Sequence, residues 1–284
     1  EWYTMKRKKR KKITSNILIT FLVMLCVVMV GFPIIWMMLS SFKPGVELFT
    51  IPPKIFPEHW SLEWYKQAFA NKNVIHYFLN SLLIASVVMI IDMIIGSMTA
   101  YSLTRFRFRG RKVILICVLA AYCIPPIMLM LPLYRIMNMF QLSGSHAGVI
   151  IGHLTVTLPV SVWLMVSFFK KLPDEIDEAA IMDGANAGQV FLKVDLPLCV
   201  PGILSTGIMA FIMSWNEFLL SSVLVNKESM KTVTVGIANY ISSTHIDWGI
   251  IMSLGTITTL PVIILFAMIQ KYFVEGMTAG AIKG

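Results

Sequence analysis

Four carboxylates follow Pro173 within one short segment: Asp174, Glu175, Asp177 and Glu178. Asp174 and Asp177 form a D-x-x-D pair of oxygen ligands, which suits a site for Mg²⁺ and a diphosphate. A membrane enzyme of that kind needs a second acidic motif across its cavity, and the sequence contains none. We therefore predict no catalytic residue and no metal site in this chain.

A phosphate-binding loop of the form G-x-x-x-x-G-K-[ST] is also absent from the sequence. Such a loop cradles nucleotide phosphates with backbone N–H groups. We therefore expect the chain to bind no cofactor.

The acidic segment also has the features of a helix start. Pro173 suits the first helical position, and acidic side chains in the first turn favour the positive end of the helix dipole. Gly184 suits the end, since glycine accepts the left-handed conformation found there. Ala179 and Ala180 leave a low-relief face that another protein can approach. We predict a short docking helix in water; the alternative is an ordinary solvated helix start.

The composition indicates a membrane protein. Hydrophobic residues make up 57% of the 284, charged residues only 14%, and the mean hydropathy is +0.75, whereas soluble domains carry about 25% charged residues. The predicted fold is an all-α integral membrane protein with six transmembrane helices, each long enough for a hydrocarbon core about 30 Å thick. The predicted spans are 17–40, 78–102, 113–134, 147–169, 202–225 and 249–270.

The basic residues indicate the topology of these spans. Of the 24 Lys and Arg residues, 17 fall on one side, in segments 6–12, 105–112, 170–193 and the C-terminal tail. Because Lys and Arg resist translocation, this side is predicted to be cytoplasmic. The predicted organisation is a cytoplasmic basic tail at 1–16, a six-span domain at 17–275 and a cytoplasmic tail at 276–284. The net charge of +9 is thus explained without nucleic acid.

The loop 173–197 contains six residues at characteristic positions: Glu178, Ala179, Ala180, Gly184, Leu196 and Pro197. Their identity and spacing resemble the EAA loop of ABC importer permeases, with Val194 in place of the usual isoleucine. In that family this loop is the coupling helix, which sits in a cleft on the ATPase subunit and transmits its closure to the membrane helices. The resemblance implies the type I importer fold, with these six as ATPase-coupling residues.

Three further segments, 100–111, 214–218 and 276–284, are similar to maltose-type sugar permeases. The last looks like the tail of the MalG-like subunit, which reaches into the interface of the ATPase dimer. By that resemblance, the tail residues that contact the ATPase are Thr278, Ala279, Gly280, Lys283 and Gly284.

The resemblance implies a permease subunit that moves an oligosaccharide or related sugar or polyol inward by alternating access. The implied partners are a second, non-identical permease, an ATPase dimer that binds ATP and Mg²⁺, and an extracytoplasmic solute-binding protein. The implied location is the lipid bilayer of a bacterial or archaeal cytoplasmic membrane. Two alternatives stay open. One is an ion-coupled secondary carrier that uses Asp92 and Glu217, and the other is a permease for glycerol phosphate.

Polar residues inside the predicted spans raise a second question. A carboxylate such as Asp92 or Glu217 needs a partner or water there. Asn216 and Glu217 would hydrogen-bond sugar hydroxyls, with Trp215 stacking on a sugar face. The other interpretation is interhelical hydrogen bonding that holds the two permease subunits together. For Asp92 we expect a bond to a neighbouring span.

Overall fold

The computed structural model describes residues 2–242 and 246–278, and the side chains of 18–242 and 246–268. A π-helical turn lies at Phe191–Asp195, and a 3₁₀ turn lies at Glu228–Met230. The α-helices of the described residues are α1 (Trp2–Ser40), α2 (Gly45–Leu48), α3 (Glu63–Ala70), α4 (Asn73–Arg105), α5 (Arg111–Tyr122), α6 (Pro126–Met139), α7 (His146–Phe169), α8 (Asp174–Met182), α9 (Ala187–Val190), α10 (Leu196–Leu198), α11 (Val200–Trp215), α12 (Leu219–Leu224), α13 (Val233–Ala238) and α14 (Trp248–Thr278).

Four of these helices, α1, α4, α7 and α14, are long and apolar enough to cross a membrane unbroken. Two further candidate spans are bent helix pairs. The bend is 100° between α5 and α6 and 78° between the segment Ala187–Leu198 and α11. The membrane-helix fold class is confirmed, and it reaches six spans when each bent pair counts as one.

The predicted span 113–134 corresponds to two helices joined by a sharp bend. The helix ends at Tyr122 and restarts at Pro126. Pro125 has an extended backbone with ψ 131°, because the ring of a following proline disfavours the helical conformation. The consecutive prolines therefore divide this span.

The predicted span 202–225 is also divided. Helix α11 ends at Trp215, and α12 begins at Leu219. The carboxylate of Glu217 accepts hydrogen bonds from the backbone N–H groups of Leu220 (2.7 Å) and Ser221 (2.9 Å). A side chain that satisfies the first N–H groups of a helix favours a new helix start at that point.

The described helices form two compact units. One combines α1, α2 and α3 with α14 as far as Ile257. Within it, the indole Nε1 of Trp64 donates to the carbonyl of Lys43 at 2.7 Å, and the Trp64 ring lies directly against Gly249. The lack of a Cβ at Gly249 is what permits this contact.

The other unit contains α4 to α13 and the rest of α14. Helix α4 packs along both α7 and α11. Small residues allow the close approach: Gly96 lies against Ser161 of α7, and Gly207 of α11 lies against Met93. Packing of small residues is a main source of association between membrane helices. This three-helix contact is the support for the loop between α7 and α11.

Candidate functional site

Helix α8 lies in the loop after α7 and carries the predicted coupling residues. It begins at Asp174, one residue later than predicted, because Pro173 is extended with ψ 138°. Three carboxylates, of Asp174, Glu175 and Asp177, lie in its first turn, where the helix dipole stabilises negative charge. After Met182 the chain turns at Gly184, whose φ is +87°, the left-handed conformation that glycine adopts without strain.

One face of α8 is attached to the end of α4 by Arg105. The Arg105 Nε lies 2.9 Å from Asp177 Oδ2 and 3.2 Å from Asp195 Oδ2. Its Nη1 pairs with Asp174 and also donates to the carbonyl of Leu172 at 3.5 Å. Only 9% of the Arg105 side chain is exposed. One guanidinium therefore joins the end of a membrane helix to both halves of the loop.

This cluster contains more negative than positive charge. Three carboxylates face one guanidinium, and Asp195 is fully buried. Burial, followed by the charge of Asp195, raises the pKa of Asp177 to about 6, although Arg105 acts in the opposite direction. Asp177 therefore changes its protonation closer to neutral pH than an ordinary aspartate does.

An aromatic cluster attaches the second half of the loop to the same helices. The ring of Phe191 lies 4.8 Å from Tyr101 of α4 and 6.4 Å from Phe169 of α7. The Tyr101 hydroxyl donates to the carbonyl of Ala187 at 3.2 Å. Leu196 packs against this cluster, while Pro197 is exposed. The π-helical turn lies between these contacts, and such turns are frequent at functional sites.

Beyond the contacts with Arg105, most side chains of α8 are exposed. Glu178 and Ala179 are exposed and Ala180 is half-buried. Ile181 is 57% exposed and Met182 86% exposed. Glu178 forms no ion pair with any residue whose side chain the structure describes. An exposed apolar patch beside an unpaired charge is typical of a surface that binds another protein.

The structure does not place the predicted tail contacts. Thr278 is the last residue of α14. Four tail residues lie outside the described residues: Ala279, Gly280, Lys283 and Gly284.

The predicted pathway residues lie at the break between α11 and α12. Trp215 is 2% exposed, stacks on Phe211 at 5.7 Å and donates from Nε1 to the carbonyl of Thr258 at 3.2 Å. Asn216 is exposed, and its amide donates to the carbonyl of Ile212 at 2.9 Å. In this conformation Asn216 presents a polar surface, whereas the Trp215 ring packs inside the bundle.

Glu217 joins α12 to the buried histidine of α7. Its Oε2 lies 3.1 Å from His153 Nε2, in addition to the two backbone N–H groups that it caps. His153 is fully buried, and its ring contacts the hydroxyls of Ser214 (2.7 Å) and Ser221 (2.9 Å). Both carboxylate oxygens of Glu217 thus have partners within this chain.

Asp92 lies in the middle of α4, fully buried beside Thr157 and Ser161 of α7. Neither of its carboxylate oxygens makes a hydrogen bond of normal geometry with the described residues. The expected neighbouring span is present, but its hydroxyls are not aligned to donate.

Sequence reasoning did not identify Arg105, Asp195 or His153 as site residues. A signal was present for the first two. Arg105 lies just after the predicted span 78–102, and Asp195 lies in the loop that follows another span on the same predicted side. Charges of opposite sign at neighbouring span ends are candidates for an ion pair, but the sequence does not show which ends meet.

The family comparison agrees with this geometry. Residues 92–279 match the family described as binding-protein-dependent transport system inner membrane component. The chain belongs to this family. The match includes the whole loop 173–197, helices α7 and α11, and the end of α4 that contacts the loop.

Named relatives agree with the family. The permease is 34% identical over 256 residues to the inner membrane ABC transporter permease protein YcjP of Escherichia coli, covering 89% of this chain and 91% of that protein. It is 33% identical over 279 residues to the trehalose/maltose transport system permease protein MalG of Thermococcus litoralis, covering 97% and 99%. It is 33% identical over 264 residues to the diacetylchitobiose uptake system permease protein NgcG of Streptomyces coelicolor, covering 92% and 87%.

A solved structure supports the same fold. A bacterial ABC transporter involved in the import of the acidic polysaccharide alginate matches with a TM-score of 0.79 at 22% identity, covering 93% of this chain and 98% of that one. The type I importer fold and the permease role are therefore established. They favour this role over the ion-coupled carrier. Both carboxylates of the D-x-x-D pair contact Arg105.

Proposed function

We propose that this permease imports an oligosaccharide or related glycoside, driven by ATP that a separate ATPase dimer hydrolyses. The observation that carries the proposal is that helix α8 is both attached and exposed. Its first turn is attached to α4 by Arg105, and further along the helix Glu178, Ile181 and Met182 are exposed. Such a helix can receive a movement through its exposed residues and pass it to the membrane bundle through its attached turn.

The route of this movement follows from the contacts. A displacement of α8 pulls on Asp174 and Asp177, and through them on Arg105 at the end of α4. The second half of the loop moves α4 and α7 through Phe191. Because ion pairs and packed rings resist separation, α8 and the ends of both helices move together. The movement of these helices then exposes the solute pathway to alternate sides of the membrane.

The proposed partners are an ATPase dimer, a second permease and a solute-binding protein. The ATPase binds the exposed face of α8 and the tail 276–284, both on the cytoplasmic side, which also holds 17 of the 24 basic residues. A second, non-identical permease completes the pathway, and an extracytoplasmic protein delivers the solute. A related transporter structure, with a TM-score of 0.65 at 12% identity, is described in complex with an alginate pentasaccharide-bound periplasmic protein.

The proposed solute class rests on the relatives. Their names include trehalose/maltose, diacetylchitobiose and sulfoquinovosyl glycerol, all of which contain a glycosidic bond. Within this chain, the exposed amide of Asn216 is the predicted pathway residue best placed to hydrogen-bond a sugar hydroxyl. Glu217 supports it by holding the start of α12.

Co-purification with the cognate ATPase tests the proposal. Glu178→Lys with Met182→Asp reverses one charge and removes one exposed apolar side chain of α8, so the ATPase is expected to be lost from the complex. Glu63→Lys is the control for the first substitution, because it makes the same exchange at a carboxylate of α3. Transport of labelled disaccharides by the permease without any ATPase would overturn the proposal.

A further inference from the structure

An open pocket of about 820 Å³ lies where α4 ends and α5 begins. Its walls carry five basic side chains: Arg107, Arg109, Arg111, Lys112 and Lys170. No carboxylate lines it. Among the described side chains, none of the five makes an ion pair. The pocket is therefore a region of concentrated, uncompensated positive charge, which attracts anions.

The backbone adds to this potential. Gly110 takes a left-handed conformation with φ +90° immediately before α5, and the first turn of that helix, from Gly110 to Val113, forms part of the wall. The first N–H groups of a helix have no acceptor within the helix, and the helix dipole places positive charge there. An anionic group in the pocket meets both the side chains and this helix end.

An apolar wall lies beside the charges. It consists of Leu103, Phe108, Val113 and Leu115. Phe108 is 42% exposed and Val113 61% exposed. A free phosphate makes no favourable contact with exposed apolar side chains next to its site. A lipid has an anionic headgroup for the basic side chains and hydrocarbon chains for the apolar wall.

We propose that this pocket binds the headgroup of an anionic phospholipid, with its acyl chains along the apolar side of α5. Basic pockets at the membrane surface are typical sites for such headgroups. Lys170 lies directly before the loop 173–197, so a lipid held there connects α5 to the base of that loop. The proposal requires only that the chain is inserted in a membrane. The proposed orientation of the chain decides that the lipid lies in the cytoplasmic leaflet.

Native mass spectrometry of the assembled transporter with phosphatidylglycerol and phosphatidylcholine tests this. The variant Arg109→Gln with Lys112→Gln is expected to lower retention of phosphatidylglycerol relative to phosphatidylcholine by about fivefold for each charge removed. Retention equal to that of the wild type would overturn the proposal. Arg107→Gln with Lys170→Gln removes two other charges of the pocket and serves as the second variant if the first does not assemble.

Two controls separate the pocket from its alternatives. Lys8→Gln with Lys9→Gln removes the same charge from the N-terminal tail and is expected to leave lipid retention unchanged. An equal loss of lipid retention in this control would show that the lipid is attracted by the overall positive charge of the protein, and it would overturn the proposed site. Millimolar inorganic phosphate or glycerol phosphate is expected not to displace the lipid. Displacement would assign the pocket to a free anion instead. Lipid retention does not require transport, so either result is independent of the proposed sugar import.

Discussion

Arg105 Nε lies 2.9 Å from Asp177 Oδ2, and this ion pair joins the last residue of a membrane helix to the exposed helix α8. Asp195 reaches the same Nε from the second half of the loop. The guanidinium is bound by both halves at once, because its planar fork offers several donors in fixed directions. The loop connects α7 to α11 in sequence, and it is also attached to the end of α4 by these ion pairs.

Replacing Arg105 with glutamine is expected to abolish coupling. It leaves three carboxylates facing one another, and breaking a buried ion pair on one side costs about 3–5 kcal/mol. Solute uptake by the reconstituted complex should fall to background, and ATP hydrolysis should no longer respond to the loaded binding protein. Arg105→Lys retains the charge without the fork and should restore part of both activities.

The matched control is Arg135→Gln, which removes an exposed guanidinium on α6. It is expected to retain wild-type uptake and wild-type ATP hydrolysis. If Arg105→Gln were to keep uptake coupled to hydrolysis at the wild-type ratio, Arg105 would not transmit the movement.

The raised pKa of Asp177 predicts a pH-dependent stability. The folded protein binds this proton up to about pH 6, whereas an unfolded chain releases it near pH 4. Because the folded state binds more protons between these values, stability rises as the pH falls from about 7 to 4. Asp177→Asn, which imitates the neutral form, removes this dependence.

Thermal unfolding of the purified permease at a series of pH values measures the difference. At pH 7.5 the Asp177→Asn variant is expected to be the more stable by on the order of 1 kcal/mol, or about 2–4 °C in Tm. The difference should fall to about half near pH 5 and disappear below about pH 4, where the unfolded chain also binds the proton. A constant difference across this range would contradict the assigned pKa.

Gly184→Ala tests the turn that ends α8. A Cβ at this position meets no atom within 4 Å, so its cost comes from the left-handed backbone alone, about 1 kcal/mol. The last turn of α8 is expected to exchange its amide hydrogens about fivefold faster. A free-energy loss of about 1.4 kcal/mol changes an opening equilibrium about tenfold, so about 1 kcal/mol changes it about fivefold. Gly188→Ala is the control, because Gly188 lies in α9 without a positive φ. Equal acceleration in both variants would exclude the backbone explanation.

His153 and Glu217 are expected to depend on each other. Glu217→Gln replaces one accepting oxygen by an amide nitrogen, and His153→Ala leaves the hydroxyls of Ser214 and Ser221 without their ring partner. Each change should lower stability by about 1–3 kcal/mol. The double variant should lose less than the sum, by about 0.5 kcal/mol or more. Strict additivity would show that the contact contributes nothing.

Glu217→Gln also separates the two roles considered for this carboxylate. The capping geometry predicts reduced stability with solute affinity unchanged, measured as the substrate concentration that gives half-maximal uptake. A raised half-maximal concentration in a protein of unchanged Tm would instead support a direct role in the pathway.

Much of the loop follows from local sequence. Helix α8 and its end at Gly184 could be predicted because a proline, acidic first turn and glycine act within a few residues. The breaks at Pro125 and Glu217 were less predictable. A proline in a membrane helix is compatible with either a kink or a full break, and the capping role of Glu217 depends on where its side chain turns.

Residue type and order alone determined the membrane class, the apolar segments and the short helix α8, because apolar length and short-range helix signals are local properties. The tertiary structure alone decided that Arg105 meets Asp177 and Asp195, and that His153 meets Glu217. These residues are separated by some 60 to 90 positions along the chain. Such pairs form only after α4, α7 and α11 have packed, and helix packing is set by many small contacts that no short motif encodes.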